Sequence, residues 1–305
     1  RGRGVTSLRS ALTEATAALT AAEVPSPRAD ALALVGHVLG ADRGEVERRL
    51  VLGGELDDAA AERLRRLVEE RATRVPLQHL TGTAPFRRLE LHVGPGVFVP
   101  RPETEQAVDH VIAALPATDR PLVVDLCTGS GALALAVADE TDAEVTAVEL
   151  SDLALAWAAR NVEATGLPVA LVAADATADP RDVPGLADLV GRVDVVVSNP
   201  PYIPAGMVPL DPEVADHDPD MALYGGSDDG LAIPLAVAAT AAALLRPGGR
   251  LVMEHADSQG ESLPRALAAT GHWTDVADNA DLTGRARTTT ARRGPGARRG
   301  PAAAD

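Results

Sequence analysis

The chain has 305 residues, of which 46% are hydrophobic and only 2% aromatic, with one cysteine and a formal net charge of −16. That length fits one or two domains, and the apolar fraction is enough for a sizeable core built mostly from Leu, Val and Ala. A single cysteine excludes an intrachain disulfide and a cysteine-based zinc cluster, and the acidic balance disfavours a nucleic-acid platform, where cations must meet phosphates. All 28 basic residues are arginine, and the charge is unevenly placed. Residues 1–90 carry 14 Arg against 13 acidic residues, whereas residues 91–290 carry 10 against 30. An acidic main body suits a basic protein partner. No signal peptide and no membrane-length apolar run is visible, so a soluble, cytoplasmic protein with no membrane contact is expected.

Residues 6–82 read as helices. Leu8, Leu12, Ala15 and Leu19 recur at helical spacing. Pro25 and Pro27 punctuate, and further helices are expected over 29–39, 46–52 and 59–73, the last with Leu64, Leu67 and Val68 on one face. No catalytic constellation appears here, and the segment suits recognition. Residues 86–99 alternate, with Gly94-Pro95-Gly96 as the expected turn of a β-hairpin. Pro102 suits a first helical turn, and Glu103 and Glu105 its positive end.

An α/β pattern follows. Leu122-Val123-Val124-Asp125-Leu126 reads as a buried strand, and Cys127-Thr128-Gly129-Ser130-Gly131 as a tight turn into a helix, where backbone can approach a ligand closely. Cys127 is read as packed beneath the turn. The next strand, 144–150, carries Glu149, 18 residues past Gly131. That is near the ~20-residue offset at which an acid meets a ribose diol; the alternative is a solvated strand end. A helix over 152–165 and a strand over 169–172 lead to Asp175, which either bonds an adenine amino group or caps the next turn.

Val195-Val196-Val197-Ser198-Asn199-Pro200-Pro201-Tyr202 reads as a buried strand stopped by two prolines. A polar amide, a stiff turn and an aromatic ring then stand at a strand's carboxyl end, where ligands bind in open α/β sheets. The Pro/Asp-rich stretch 203–230 reads as a long loop, a lid or binding segment. A helix to residue 245, a strand over 250–255 and a last strand after 281–287 are expected. Glu254 and His255 are read as structural or pocket-wall groups. No metal site is expected. The Arg-bearing tail from residue 293 is expected to be disordered.

Asn199-Pro200-Pro201-Tyr202 resembles motif IV of S-adenosylmethionine-dependent methyltransferases acting on planar nitrogens. The Arg-x-Pro-x-Gln stretch at 74–78 and Val-Pro-Arg-Pro-Glu-Thr-Glu at 99–105 add to this. So do Asp-Leu-x-Thr-Gly-Ser-Gly at 125–131, the glycine-rich 225–231 and Asp-Leu-x-Gly-x-x-Arg at 281–287. As an ordered set over residues 6–293, they resemble the PrmC/HemK family of protein-(glutamine-N5) methyltransferases. The resemblance implies an α/β fold: a seven-stranded Rossmann-like class I methyltransferase domain (101–292) preceded by an N-terminal helical bundle (1–82) and a β-hairpin linker (83–100). It implies S-adenosylmethionine as cofactor, S-adenosylhomocysteine as product, and the Gly-Gly-Gln loop of class 1 peptide-chain release factors as substrate, met by a monomer.

By motif, Cys127, Thr128, Gly129, Ser130 and Gly131 would hold the methionine end of the cofactor. Glu149 would bind its ribose, Asp175 and Ala176 would flank its adenine, and Phe98 would help cover it. Asn199 and Pro200 would accept hydrogen bonds from the substrate amide, while Pro201 and Tyr202 shape the slot, with Asn199 adjoining the cofactor as well. Three positions depart from the family pattern: Cys127 stands for a common Gly, Ala176 for an aromatic in some members, and His79 for the usual Tyr.

Other readings lie close by. A sister family methylates a large-subunit ribosomal protein, but its linker typically reads Pro-Arg-Ser-Pro where this chain has Pro100-Arg101-Pro102-Glu103. Adenine-N6 or guanine-N2 methylation uses the same tetrapeptide, and the acidic charge argues against it. Gly129-x-Gly131-x-x-Ala134 with Glu149 also fits a dinucleotide-binding oxidoreductase, in which Asn-Pro-Pro-Tyr would have no role. A non-enzymatic binding protein keeping the fold is a further alternative, against which the intact motif residues argue.

Overall fold

A computed structural model describes residues 5–295, and the chain folds as two compact units. The first unit takes residues up to 83, with 93–95 and 209–217. It opens with β1 (Val5–Ser7), α1 (Leu8–Ala21), α2 (Pro27–Leu39) and α3 (Arg43–Val51), then β2 (Glu55–Asp57), α4 (Asp58–Ala72) and α5 (Leu77–Thr81). Leu8, Leu12, Leu19, Leu34, Val46, Leu64 and Val68 close a small core. Asp42 and Asp57 cap α3 and α4 by accepting from the Glu45 and Ala60 amides at 2.8 and 2.7 Å. The antiparallel pairing of β1 with β2, Val5 opposite Asp57, was not legible in the helical periodicity.

Arg71 is buried in this unit, 2.8 Å from Asp30 and 2.7 Å from Glu213. Arg74 joins it, its Nε 2.8 Å from Glu213. Residues 209–217, expected as part of one continuous loop, are therefore held with the helices by a buried carboxylate between two guanidinium groups.

The second unit begins at Ala84, within a hairpin of β3 (Thr83–Phe86) and β4 (Leu89–His92). Its turn falls at Arg87-Arg88 and not at Gly94-Pro95-Gly96. Arg87 sits at φ 54°, and three carboxylates hold it there. Its amide donates to Glu105 at 3.0 Å, and its guanidinium reaches Glu140 at 2.8 Å and Asp109 at 2.9 Å. Tertiary anchors have overridden local turn propensity.

Strand and helix then alternate: α6 (Glu105–Ala114), β5 (Leu122–Leu126), α7 (Ala132–Glu140), β6 (Glu144–Glu149), α8 (Asp152–Thr165), β7 (Val169–Ala173) and β8 (Val193–Ser198). After α9 (Pro212–His217, in the first unit) come α10 (Asp220–Leu223), α11 (Ala232–Leu244), β9 (Leu245–Glu254), α12 (Ser262–Ala269), β10 (Trp273–Ala280) and β11 (Ala286–Arg293). The sheet has the expected seven strands, in the order β10-β11-β9-β8-β5-β6-β7. Five are parallel, and β11 and β10 close one edge antiparallel.

Alternate residues of the valine-rich strands point to opposite faces. Val124, Val196 and Leu251 pack with α11 and α12, while Val123, Val195, Val197 and Val252 pack with α6 and α7. Strand order runs outward in both directions from β5 and β8, so the topological switch point lies between their carboxyl ends. Arg293, assigned to the tail from sequence, instead ends β11, its Nε donating to the Ala242 carbonyl at 2.8 Å. The rest of that expected tail, 296–305 with Arg298 and Arg299, lies outside the described residues.

Candidate active site

The turn after β5 is built for close approach. Cys127, Gly129 and Gly131 all have left-handed backbones, at φ 65°, 59° and 85°. For Cys127 this costs roughly 1–2 kcal/mol relative to an ordinary conformation, which explains why glycine suits that position. The Thr128 amide donates to the Val148 carbonyl at 3.0 Å, lashing the turn to the end of β6. The Cys127 thiol is pushed well above its usual range, first by burial and then by the Glu149 and Asp125 carboxylates. Its side chain packs, partly buried, against the core.

Glu149 faces this turn. Its Oε2 accepts from the Gly129 amide at 2.8 Å, and its Oε1 from the Leu150 and Ser151 amides at 2.9 and 2.8 Å. Three backbone donors thus fix a carboxylate beside the glycine turn. The solvated strand end considered for Glu149 is not what the chain builds. Asp125 lies fully buried beneath the turn, accepting from Thr128 Oγ1 at 2.5 Å and the Ala134 amide at 3.2 Å. Burial pushes its carboxyl up to about 7.

Asn199 to Tyr202 leave the next strand at the same level. Leu126 and Ser198 are register partners, and Ser198 Oγ donates to the Leu126 carbonyl at 2.6 Å. Pro200 and Pro201 are buried, and Asn199 and Tyr202 half-buried. The Tyr202 hydroxyl lies 3.4 Å from Glu254 Oε1, and burial pushes the phenol above its usual range. Glu254 is itself buried at the end of β9; desolvation pushes its carboxyl up to about 7 against the opposing pull of Thr104 and Arg287.

Asp175 and Ala176 follow β7, beside β6, whose Glu149 carbonyl accepts from the Ala174 amide at 3.0 Å. Asp175 is exposed and its Oδ1 accepts from the Thr177 amide and hydroxyl at 2.8 and 2.7 Å, the turn-capping arrangement. Ala176 is buried in the core. The structure therefore brings 127–131, Glu149, 175–176 and 199–202 to neighbouring strand ends. Phe98 carries Arg101 over its ring at 5.2 Å, and Arg101 reaches Asp218 at 3.0 Å. His255 is fully buried, its ring nitrogens 2.8 Å from the Ala256 carbonyl and 3.0 Å from Asp278, in keeping with a structural role.

Two residues that sequence reasoning passed over hold these loops. Asn161, inside α8, accepts from the His92 amide at 2.7 Å and donates to the His92 and Ser130 carbonyls, both at 2.9 Å. Gln259 bonds the Tyr202 carbonyl at 2.9 Å. Neither carries a spacing signal; each is one polar residue whose partners are distant in the chain.

Residues 10–82 match the family model described as the PrmC N-terminal domain, and residues 88–210 that of the methyltransferase small domain. Relatives over nearly the full length include the release factor glutamine methyltransferase of Mycolicibacterium smegmatis, 49% identical over 95% of this chain and 99% of the relative. That of Streptomyces coelicolor is 49% identical over 92% and 96%, and that of Deinococcus radiodurans 43% over 94% and 98%. With this identity and coverage, and with the glycine turn and the Asn-Pro-Pro-Tyr turn side by side, the chain belongs to the release factor glutamine methyltransferase family.

Proposed function

We propose that this chain methylates the side-chain amide nitrogen (N5) of the glutamine in the Gly-Gly-Gln loop of class 1 peptide-chain release factors, using S-adenosylmethionine. The observation that carries this reading is the register of Leu126 with Ser198, which sets the cofactor-type turn and the amide-accepting turn at one level. The residues present fit the cofactor. Gly129 has open space where a side chain would stand, and Glu149 is an ionisable acceptor held beside it. Cys127 to Gly131 would hold the methionine end, Glu149 the ribose, and Asp175 and Ala176 the adenine, with Phe98 covering.

When bound, S-adenosylmethionine supplies a methyl group on a sulfonium, ready for nucleophilic attack. An amide nitrogen is a poor nucleophile because its lone pair is delocalised. The Asn199 side-chain oxygen and the Pro200 carbonyl accept from its two N–H bonds, orient it and stabilise the positive charge that develops on it. Pro201 and Tyr202 set the slot around the amide plane. Loss of a proton after attack restores the neutral amide, so no side-chain base is required.

The helical unit docks the factor, joined by the hairpin linker, and the net charge of −16 favours a basic protein surface over nucleic acid. We place the reaction in the cytoplasm, carried out by a monomer; no helix among the described residues is long and apolar enough to cross a membrane. Mass spectrometry of a purified release factor, incubated with this protein and S-adenosylmethionine, tests the reading. One methyl on the Gly-Gly-Gln glutamine, lost with Asn199→Ala, is expected. No methyl there from an enzyme that binds S-adenosylhomocysteine overturns the substrate assignment, and a methyl placed instead on a large-subunit ribosomal protein replaces it.

A further inference from the structure

The turn that carries Asn199 has an anchoring problem. Pro200 and Pro201 have no N–H, so two consecutive residues cannot be held by donating backbone hydrogen bonds. Site geometry nevertheless has to be kept within about 0.5 Å. The restraint must come through the flanking residues. Upstream, the hydroxyl of Ser198 meets the Leu126 carbonyl. Downstream, the Ile203 amide donates to Leu223 at 2.7 Å, and the Tyr202 carbonyl accepts from Gln259 Nε2 at 2.9 Å.

Gln259 is 3% exposed and its amide is fully engaged. Nε2 donates to both the Tyr202 and Asp229 carbonyls, at 2.9 and 2.8 Å, and Oε1 accepts from the Ala256 amide at 3.0 Å. Three segments, the end of the Asn-Pro-Pro-Tyr turn, the 225–230 loop and the residues after β9, meet on one side chain. Two glycines of the loop, Gly225 and Gly230, let the backbone pack this closely. A Cβ on Gly230 would lie 2.1 Å from the Tyr202 carbonyl oxygen and 2.9 Å from Gln259 Nε2, and one on Gly225 would lie 1.9 Å from the Gly230 carbonyl oxygen. No side chain fits at either position without displacing the backbone.

We propose that Gln259 is a positioning residue of the methyl transfer: it fixes the Tyr202 carbonyl, and through it the stiff proline pair that aims the Asn199 and Pro200 acceptors. It touches no reacting atom. The inference rests on the function proposed above.

Two variants separate positioning from folding. Gln259→Glu keeps the shape but puts a carboxylate against two carbonyl oxygens; Gln259→Met keeps the length and removes every hydrogen bond. Titration with S-adenosylhomocysteine counts competent sites, so partial unfolding lowers the count and leaves kcat per site intact. A misplacement near 1 Å is worth up to about 100-fold in rate. The expected result is therefore a fall of at least about tenfold in kcat per site, with KM for the factor and affinity for S-adenosylhomocysteine within about threefold of the parent.

A smaller loss of kcat per site in a variant that keeps its sites overturns the proposal. So does a loss confined to site number or cofactor affinity, or the disappearance of competent sites from both variants, which would make Gln259 a folding residue. The parent enzyme is assayed alongside. If the parent itself leaves the release factor unmethylated, the functional reading fails and not the role of Gln259.

Discussion

Ser198 and Leu126 are bound twice, once as register partners on adjacent parallel strands and once through the 2.6 Å hydrogen bond from the Ser198 hydroxyl to the Leu126 carbonyl. The residues that follow them, Asn199 and Cys127, begin the two turns on which the reading of the site depends. Ser198 is completely buried. Ser198→Ala removes the donor, and should lower stability by about 1 kcal/mol and lower kcat while leaving S-adenosylhomocysteine affinity nearly unchanged. Urea unfolding and calorimetric titration of the same samples check this; unchanged kcat would show that strand register alone aligns the turns.

Glu149 is held by three backbone amides and so keeps its place when no ligand is bound. It is the group proposed above to meet the cofactor's ribose. Hydrogen bonds to a charged group are worth about 1.5–3 kcal/mol. Glu149→Ala should weaken S-adenosylhomocysteine binding by roughly 10- to 100-fold on that basis. Isothermal titration gives the answer, and an affinity within twofold of the parent would remove Glu149 from the cofactor site.

Glu254 and Asp125 are buried carboxyls, both pushed up to about 7, mainly by desolvation. Around Glu254 stand Thr104, Tyr202, Arg287 and Glu103. The folded chain keeps these two protons where the unfolded chain has released them. Stability is therefore present at low pH and falls as pH rises from about 4 to about 7, then levels off. For Glu254 the difference amounts to at most about 3–4 kcal/mol. Glu254→Gln keeps a neutral group in place and should flatten that part of the stability profile. Urea midpoints at pH 5, 6, 7 and 8 measure it, and an unchanged slope would show that Glu254 is ionised in the fold.

Arg71, Asp30 and Glu213 form a buried charged group inside the first unit, with half-buried Arg74 at its edge. Removing one partner leaves an uncompensated buried charge, at a cost of about 3–5 kcal/mol. Arg71→Met leaves Asp30 without its guanidinium partner while Glu213 keeps Arg74, so it should destabilise the helical unit chiefly around α2 and α4 and only loosen residues 209–217. Hydrogen exchange resolves this by segment. Protection should fall most in α2 and α4 and less in 209–217, and protection retained in α2 and α4 would mean that the buried pair contributes little beside hydrophobic packing.

The parts of the fold legible in the sequence were those with a repeating or contiguous signal. The valine runs of β5 and β8 and the helical spacing of Leu8 to Leu19 state their own periodicity, because burial of a face imposes it. The placing of Glu149 at the end of its strand was legible, because a strand followed by a tight glycine turn carries its own spacing, and the structure sets its carboxylate against the Gly129 amide. The hairpin turn was misplaced, since Arg87 adopts its backbone only by virtue of carboxylates on α6 and α7. The edge strand β10 was unseen, its residues mostly polar or exposed.

By itself, the sequence determined which residues can accept an amide's hydrogen bonds, which turn can lie against a ligand, and that an α/β sheet carries both, since these follow from residue chemistry and local spacing. Tertiary structure alone decided that Ser198 is level with Leu126, that Glu149 turns its carboxylate to Gly129, that Gln259 grips Tyr202, and that Glu213 is buried between Arg71 and Arg74. Each of these is a contact between residues far apart in the chain. A single polar side chain has no periodicity to announce its partner, so only the folded backbone shows where its hydrogen bonds go.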